Sequence, residues 1–542
     1  MLNLRAIDTE RRAQDLRIMS APAAHTAELI EFAAAAWGDR RFVCEDHASL
    51  TFSELLDHVR WAAAGLIERG AKADTRVAIW APNRWEWIVG ALATHYVGGT
   101  LVTLNTRYRG SEAAQILRLS GARLLITASN FLGTDYPALL AGEDCGDLAT
   151  TIVLDDPGPD GFAALLQNGR AALSDPQSRV PEALSTARAS VSADDLSDIL
   201  FTSGTTGTPK GVMTTHRQNL KAFATFADLL GLNDSDRYLI INPFFHSFGY
   251  KAGWLACLLV GAEAHPVAVL EMNALLQTIE ARKITCMPGP PTLFHSILTH
   301  PDLDTSRLTS LTKATTGAAV IPRQLIEDMR CILGIDTVIT AYGLSETCGL
   351  VTMCRRGDDS ATIASTSGRA IPDVEVSIVN PSGEHLVAGD TGEIVVRGYN
   401  LMKGYLNDPL ATEQTIDREG WLHTGDIGVL DAEGNLAITD RLKDMYISGG
   451  FNCYPAEIEQ LLLRHPAVSQ AAIVGQADER LGEVGIAFIV PVNANHPAPE
   501  DIVSWCKNEM ANYKVPREIR WVDTLPLNAS GKVLKTTLRE ML

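Results

Sequence analysis

The sequence predicts an α/β protein. It reads as a large N-terminal domain of doubly wound sheets with a small β-barrel-like subdomain, then a small α+β C-terminal domain. Three observations carry this. Helical patterns alternate with short β-branched runs in the first two thirds of the chain. Strand–turn–strand pairs follow Ile371, and helix and strand signals mix again after Asp444.

The elements follow in order. Residues 53–70, SELLDHVRWAAAGLIERG, place apolar side chains at helical spacing and stop on Gly70. RVAIWAP (76–82) and LVTLN (101–105) read as strands, with EWIVGALATHYVGG (86–99) as the helix between them. EAAQILRLSG (112–121) and RLLITAS (123–129) repeat the theme, which argues for parallel pairing through crossover helices. Across 155–193, Pro, Gly, Ser and Ala accumulate with little periodicity, so a surface excursion is expected there. DVEVSIVN (373–380) and GEIVVRG (392–398) form one strand pair, with PSGE and GDTG as turns; IGVLDAEGNLAITD (427–440) forms a second. Beyond a boundary at 441–444 come the helix PAEIEQLLLRH, the strands QAAIVGQ and GIAFIVPV, and the helix DIVSWCKNEMANY. The expected division is 1–440, a hinge at 441–444, and 445–542.

Lys and Arg number 46 against 65 Asp and Glu, a net charge of −19, so bulk attraction to nucleic acid or an anionic membrane is excluded. Any anionic ligand must be held locally. Nine scattered cysteines without a CxxC or a metal-like grouping read as reduced cytosolic thiols. The N-terminus lacks an apolar signal core. The apolar stretches 87–104 and 253–270 carry histidine, proline, glycine or acid and read as buried α/β segments, not membrane spans.

ILFTSGTTGTPKGVMTTHR (199–217) is the most informative stretch. Gly204, Gly207 and Gly211 let backbone N–H groups approach an anion, Thr202, Ser203, Thr205 and Thr206 add hydroxyls, and Lys210 adds a positive charge. Pro209 and the β-branched GVMTT put this loop between two strands. A Walker A loop would instead run straight into a helix.

FTSGTTGTPKG resembles the phosphate-loop signature of the adenylate-forming superfamily of acyl-CoA synthetases, aryl-CoA ligases, luciferases and peptide-synthetase adenylation domains. TTGAAVIP (315–322), TAYGLSET (340–347), WLHTGDIG (421–428), DRLKDMYISGGFNCYPAEIE (440–459) and LPLNASGKVLK (525–535) follow in that superfamily's order. The resemblance runs from about residue 30 to the C-terminus.

It implies ATP, Mg²⁺ and coenzyme A as ligands and a carboxylic acid as substrate, with neither nucleic acid nor a membrane span. A cytoplasmic location is expected, and a homodimer stays open. By the same resemblance, Lys532, Glu346 and Thr205 are catalytic, with Glu346 the Mg²⁺ ligand. Tyr342 stacks on adenine, Ala318, Ala319, Thr340 and Ala341 shape the base pocket with Ser345 nearby, and Asp426 and Arg441 hold ribose or phosphate. Lys443 is the hinge of a mobile C-terminal domain, and Gly449 and Gly450 admit the pantetheine arm. Phe245, His246, Phe248, Gly249, Tyr250 and Gly253, with Gly317, line an acyl pocket suited to a bulky apolar acid. Taken alone, Glu346 reads better as a surface acid, His246 as a packed core histidine and Lys532 as a solvated surface group; Tyr342 is equally a core tyrosine, and Asp426 and Arg441 have plain readings as a turn residue and a linker ion pair.

Within the superfamily, INPFFHSFGYKAG, MPGPPT, AYGLSETCGLVTMCR and RLKDMYISGGFNCYPAEIE most resemble actinobacterial steroid-catabolic ligases that activate the propanoate side chain of a bicyclic indanedione. Residues 1–21 have no counterpart there. Medium-chain fatty-acyl or aryl-acid ligases share these motifs and stay open. So do a non-catalytic nucleotide-binding regulator, which intact Lys532, Glu346 and Asp426 oppose, and a luciferase-like oxygenase.

Overall fold

The computed structural model describes residues 21–202, 209–317, 321–441, 444–448, 451–478, 480–494, 496–510, 512–527 and 532–542. Two large sheets organise the N-terminal domain. In the first, Leu196–Thr202, Thr100–Thr103, Arg76–Trp80, Leu124–Thr127 and Thr150–Val153 lie side by side and parallel. Lys210–Thr215 and Gly404–Tyr405 extend the Leu196–Thr202 edge in antiparallel fashion. The second sheet has nine strands, with a parallel centre running from Thr337–Tyr342 through Lys313–Thr316, Cys286–Pro288, Arg237–Ile240 and Glu263–Pro266 to Arg41–Cys44. Strands such as Leu101–Val102 and Leu124–Ile126 are buried on both faces, which is why they read as continuous apolar runs.

The crossover helices form where their spacing predicts. Phe52–Glu68 starts at a capping box, in which the Thr51 hydroxyl accepts from the Glu54 amide and Glu54 returns the bond. Trp85–Tyr96 is buried almost throughout, so its periodicity is weak although it is a helix.

The expected surface excursion at 155–193 is corrected by two helices, Phe162–Ser174 and Val180–Ser190. The first packs on Phe52–Glu68 at a close crossing: a Cβ on Gly169 would meet the Trp61 carbonyl at 1.9 Å. The missing side chain at Gly169 permits this approach.

The β-rich subdomain is a four-stranded antiparallel sheet ordered Val374–Val379, Thr391–Gly398, Leu422–Leu430, Leu436–Arg441. Its outer strands do not pair with each other among the described residues, so the barrel-like expectation takes the form of an open sheet. The C-terminal domain pairs Val468–Asp478 with Gly482–Pro491, adds Glu518–Trp521 in parallel, and packs Pro455–Leu462 and Pro499–Glu509 around its own core. Among the described residues, no helix is long and apolar enough to cross a membrane.

Candidate active site

The glycine- and threonine-rich loop expected to hold phosphate is flanked by two paired strands, as its sequence requires. Thr202 ends one strand and faces Lys210 at the start of the next in antiparallel register. Ser203, Gly204, Thr205, Thr206 and Gly207 of the loop lie outside the described residues, as do Ala318, Ala319, Lys443, Gly449 and Gly450.

Lys210 projects its ammonium 4.8 Å from the centre of the Tyr405 ring. The Tyr405 hydroxyl in turn donates to Glu346 Oε1 at 2.9 Å. Burial, reinforced by the Glu346 carboxylate, pushes the phenol far above its ordinary pKa, so it stays protonated and keeps donating. The Glu346 carbonyl also accepts from the Met402 amide at 2.8 Å. One short strand, Gly404–Tyr405, thereby ties the loop lysine to the acid of the Ser345–Thr347 turn. Tyr405 is a functional candidate that the motif reading missed; its strand is only two residues long and has no period to read.

Tyr342 and Asp426 meet across the domain: the Tyr342 hydroxyl donates to Asp426 Oδ2 at 2.6 Å, and both side chains are buried. Asp426 faces Arg441 in the register of adjacent antiparallel strands, which brings these two predicted nucleotide contacts together. Ala341 is partly exposed next to Tyr342. Thr340 is buried, and its hydroxyl bonds the Thr366 carbonyl at 3.0 Å and Cys354 Sγ at 3.0 Å. Its side chain is therefore engaged in packing, leaving backbone for any base contact. Ser345 opens the 3₁₀ turn that carries Glu346, and Gly317 follows the strand Lys313–Thr316.

The segment after Ile240, expected to line an acyl pocket, is pinned by Asn83, whose side chain donates to the Asn242 carbonyl at 2.9 Å and accepts from the Phe244 amide at 2.7 Å. The Phe245 carbonyl accepts from the Thr103 hydroxyl at 2.8 Å. Phe245 and Phe248 are half-buried. Gly249 and Tyr250 are wholly enclosed. A Cβ at Gly249 would strike the Pro243 carbonyl at 2.2 Å, and Tyr250 stacks on Trp254 with centroids 4.9 Å apart. These two supply close packing behind the segment instead of open surface. The chain then runs through a π-helical turn, Tyr250–Leu255, with Gly253 at non-helical torsions.

His246 keeps accessible surface, yet protein groups crowd its ring. That desolvation, aided by the Lys532 and then the Lys251 ammonium, lowers its pKa to about 4. Its Nδ1 accepts from the Phe248 amide at 3.3 Å, which puts the proton of the neutral ring on Nε2. Lys532 itself is exposed, beside a bridge between Leu527 and Val533. The following helix Lys535–Glu540 is anchored by Lys535 to Glu459 and by Arg539 to Asp444, each at 2.8 Å. His246 and Lys532, just over half the chain apart in sequence, are thus electrostatic neighbours.

The model of AMP-binding enzymes matches residues 30–406, and that of the AMP-binding enzyme C-terminal domain matches 457–532. The chain belongs to the AMP-binding enzyme family. It is an adenylate-forming acyl-CoA synthetase, with the large and small domains of that fold. It is 47% identical over 95% of its length, and 98% of the relative's, to the 3-[(3aS,4S,7aS)-7a-methyl-1,5-dioxo-octahydro-1H-inden-4-yl]propanoyl:CoA ligase of Rhodococcus jostii. The ligase of the same name from Mycobacterium tuberculosis is 46% identical over 95% of this chain and 96% of its own. Among solved structures, the anthranilate CoA ligase AuaEII in complex with anthranoyl-AMP superposes with a TM-score of 0.83 at 25% identity, covering 95% of this chain and 97% of that one.

Proposed function

We propose that this synthetase activates a propanoate side chain carried on a bicyclic diketone and transfers the acyl group to coenzyme A. The observation that carries the reading is the 47% identity, over nearly all of both chains, to a ligase named for that acid. The aromatic and small residues of the acyl segment suit a bulky apolar acid.

In the first half-reaction a substrate carboxylate oxygen attacks the α-phosphorus of ATP; the bond to pyrophosphate breaks and an acyl-adenylate forms. The loop from Thr202 to Lys210, with Thr205 at its centre, holds the β- and γ-phosphates. Asp426 and Arg441 hold the ribose, and Tyr342 stacks on the base. Lys532 neutralises charge gathering on the α-phosphate. In the second half-reaction the CoA thiol, entering beside Gly449 and Gly450, attacks the acyl carbon. The thiol proton is lost and AMP departs. The mobile C-terminal domain turns about Lys443 between the halves, in a cytoplasmic enzyme whose closed site protects the adenylate from water.

Mg²⁺ fits the Glu346 position, because a single hard carboxylate fixed by a phenol leaves room for phosphate oxygens as the remaining ligands. When bound it supplies charge neutralisation and orientation of the triphosphate. Tyr405→Phe keeps the ring under Lys210 and deletes only the hydroxyl that orients Glu346. The Mg²⁺ concentration for half-maximal adenylation should rise about tenfold, the scale of one hydrogen bond to a charged group. An unchanged Mg²⁺ titration would separate Tyr405 from Glu346 function.

The acid is tested with a panel comprising the bicyclic diketo-propanoate, octanoate and benzoate, with CoA products identified by mass spectrometry. The reading expects the bicyclic thioester to dominate kcat/KM. A higher kcat/KM for octanoate or benzoate would replace it with a fatty-acyl or aryl-acid assignment.

A further inference from the structure

Behind the site, one buried carboxylate gathers groups from the two strands flanking the glycine-rich loop, from the turn after His246 and from the turn after Glu346. Asp198 Oδ1 lies 3.0 Å from Lys251 Nζ, with side-chain exposures of 0% and 2%. The Thr214 hydroxyl donates to the same oxygen at 2.7 Å and receives a bond from Lys251 at 3.0 Å. Asp198 Oδ2 accepts from the Ser197 hydroxyl at 2.7 Å and from the Asn219 amide at 2.5 Å. Asn219 Oδ1 accepts in turn from Cys348 Sγ at 2.7 Å.

Such a pair is costly. Removing two charges from water takes back most of their attraction, and apolar residues of similar volume often serve stability as well or better. Its location accounts for it. Asp198 and Thr214 face each other in the two strands that end at Thr202 and Lys210. At about 3.3 Å per residue the pair sits roughly 13 Å below the phosphate loop. Lys251 belongs to the π-turn that continues the His246 segment, and Cys348 follows Glu346, held in a left-handed conformation at φ 62°. A π-turn and a left-handed cysteine are local departures from relaxed backbone, and both terminate on this network.

We propose that Asp198 and Lys251 are positioning residues for adenylate formation. Their ion pair locks the acyl-binding segment to the strands of the phosphate loop, so that the substrate carboxylate meets the α-phosphorus in line. The inference rests on the acyl-CoA synthetase reaction and is independent of which acid is used. A misplacement of about 1 Å between reacting groups costs on the order of 10²-fold in rate. The adenylate, once made, carries its acyl group and phosphate on one covalent frame, so the thioester step depends far less on this register.

The experiment compares Lys251→Met, Asp198→Asn and the double variant D198N/K251M with wild type, using whichever acid the wild-type enzyme converts. Adenylation is read by ATP–pyrophosphate exchange, thioester formation from supplied acyl-adenylate and CoA, and folding by thermal melting. Each single variant strands one buried charge and is expected to lower the melting point. The double variant removes both charges and recovers most of it. Positioning requires that the folded double variant still adenylate on the order of 10- to 100-fold more slowly than wild type, while thioester formation stays within about threefold. Recovery of adenylation together with stability, or equal loss in both half-reactions, would overturn the proposal. A wild-type enzyme that exchanges no pyrophosphate would instead refute the reaction itself.

Discussion

Lys532→Ala is expected to slow acyl-adenylate formation by on the order of 10²–10³-fold, the scale of one lost transition-state donor. Thioester formation from supplied adenylate should largely survive. The reasoning starts from charge. In-line displacement concentrates negative charge on phosphate oxygens, and the chain carries a net charge of −19, so positive groups at the site must be placed one by one. Lys532 is near the His246 segment from the far end of the chain, and the helix Lys535–Glu540 that follows it is anchored by Lys535 to Glu459 and by Arg539 to Asp444. Its removal also has a spectroscopic signature. The Lys532 ammonium is the second cause, after burial, of the low His246 pKa. Without it that pKa rises from about 4 toward the ordinary 6.5, though burial and Lys251 still hold it down, so His246 stays mostly neutral at pH 7. NMR titration of the His246 ring reads this shift directly. An unmoved titration with equal loss in both half-reactions would make Lys532 a structural residue.

The legible parts of the site were those whose residues sit in one continuous stretch. The pair of strands flanking the glycine- and threonine-rich loop follows from Pro209 and a β-branched exit, and Thr202 and Lys210 do face each other at its base. The helix–strand alternation from Phe52 to Thr127 is likewise local, set by period and stop residues. What the sequence hid is assembled across long separations. Nothing in the run LSDILFT distinguishes Asp198 from a solvent-facing strand acid, and nothing in YKAGWL marks Lys251 as buried; each is explained only by the other. Tyr405 acquires meaning only when Gly404–Tyr405 docks beside Lys210–Thr215. The helices within 155–193 escaped for the opposite reason. Proline, glycine and serine recur through the stretch, only Leu184 of Val180–Ser190 is buried, and Phe162–Ser174 packs closely on Phe52–Glu68 through Gly169.

Replacing Lys443 with proline should separate the two half-reactions in the other direction. On one side of this position Arg441 ends a sheet strand, in register with Asp426. On the other, Asp444 is tied to Arg539 of the last helix at 2.8 Å. Only residues 442 and 443 lie between these two anchored points, so the proposed rotation of the C-terminal domain would fall on their few backbone torsions. Proline fixes φ near −65° and deletes the N–H donor, which removes one of those torsions. The arrangement that keeps Lys532 close to His246 is the one the proposed adenylation role of Lys532 requires, so Lys443→Pro should still release pyrophosphate in a single turnover. The domain could then no longer turn to present Gly449 and Gly450 to the thiol, and thioester yield should fall close to background. Single-turnover pyrophosphate release, measured beside CoA-thioester yield on the same enzyme, decides the matter. If both fall together, Lys443 supports the fold and the rotation lies elsewhere. If pyrophosphate appears without thioester, the adenylate waits in a site that cannot turn.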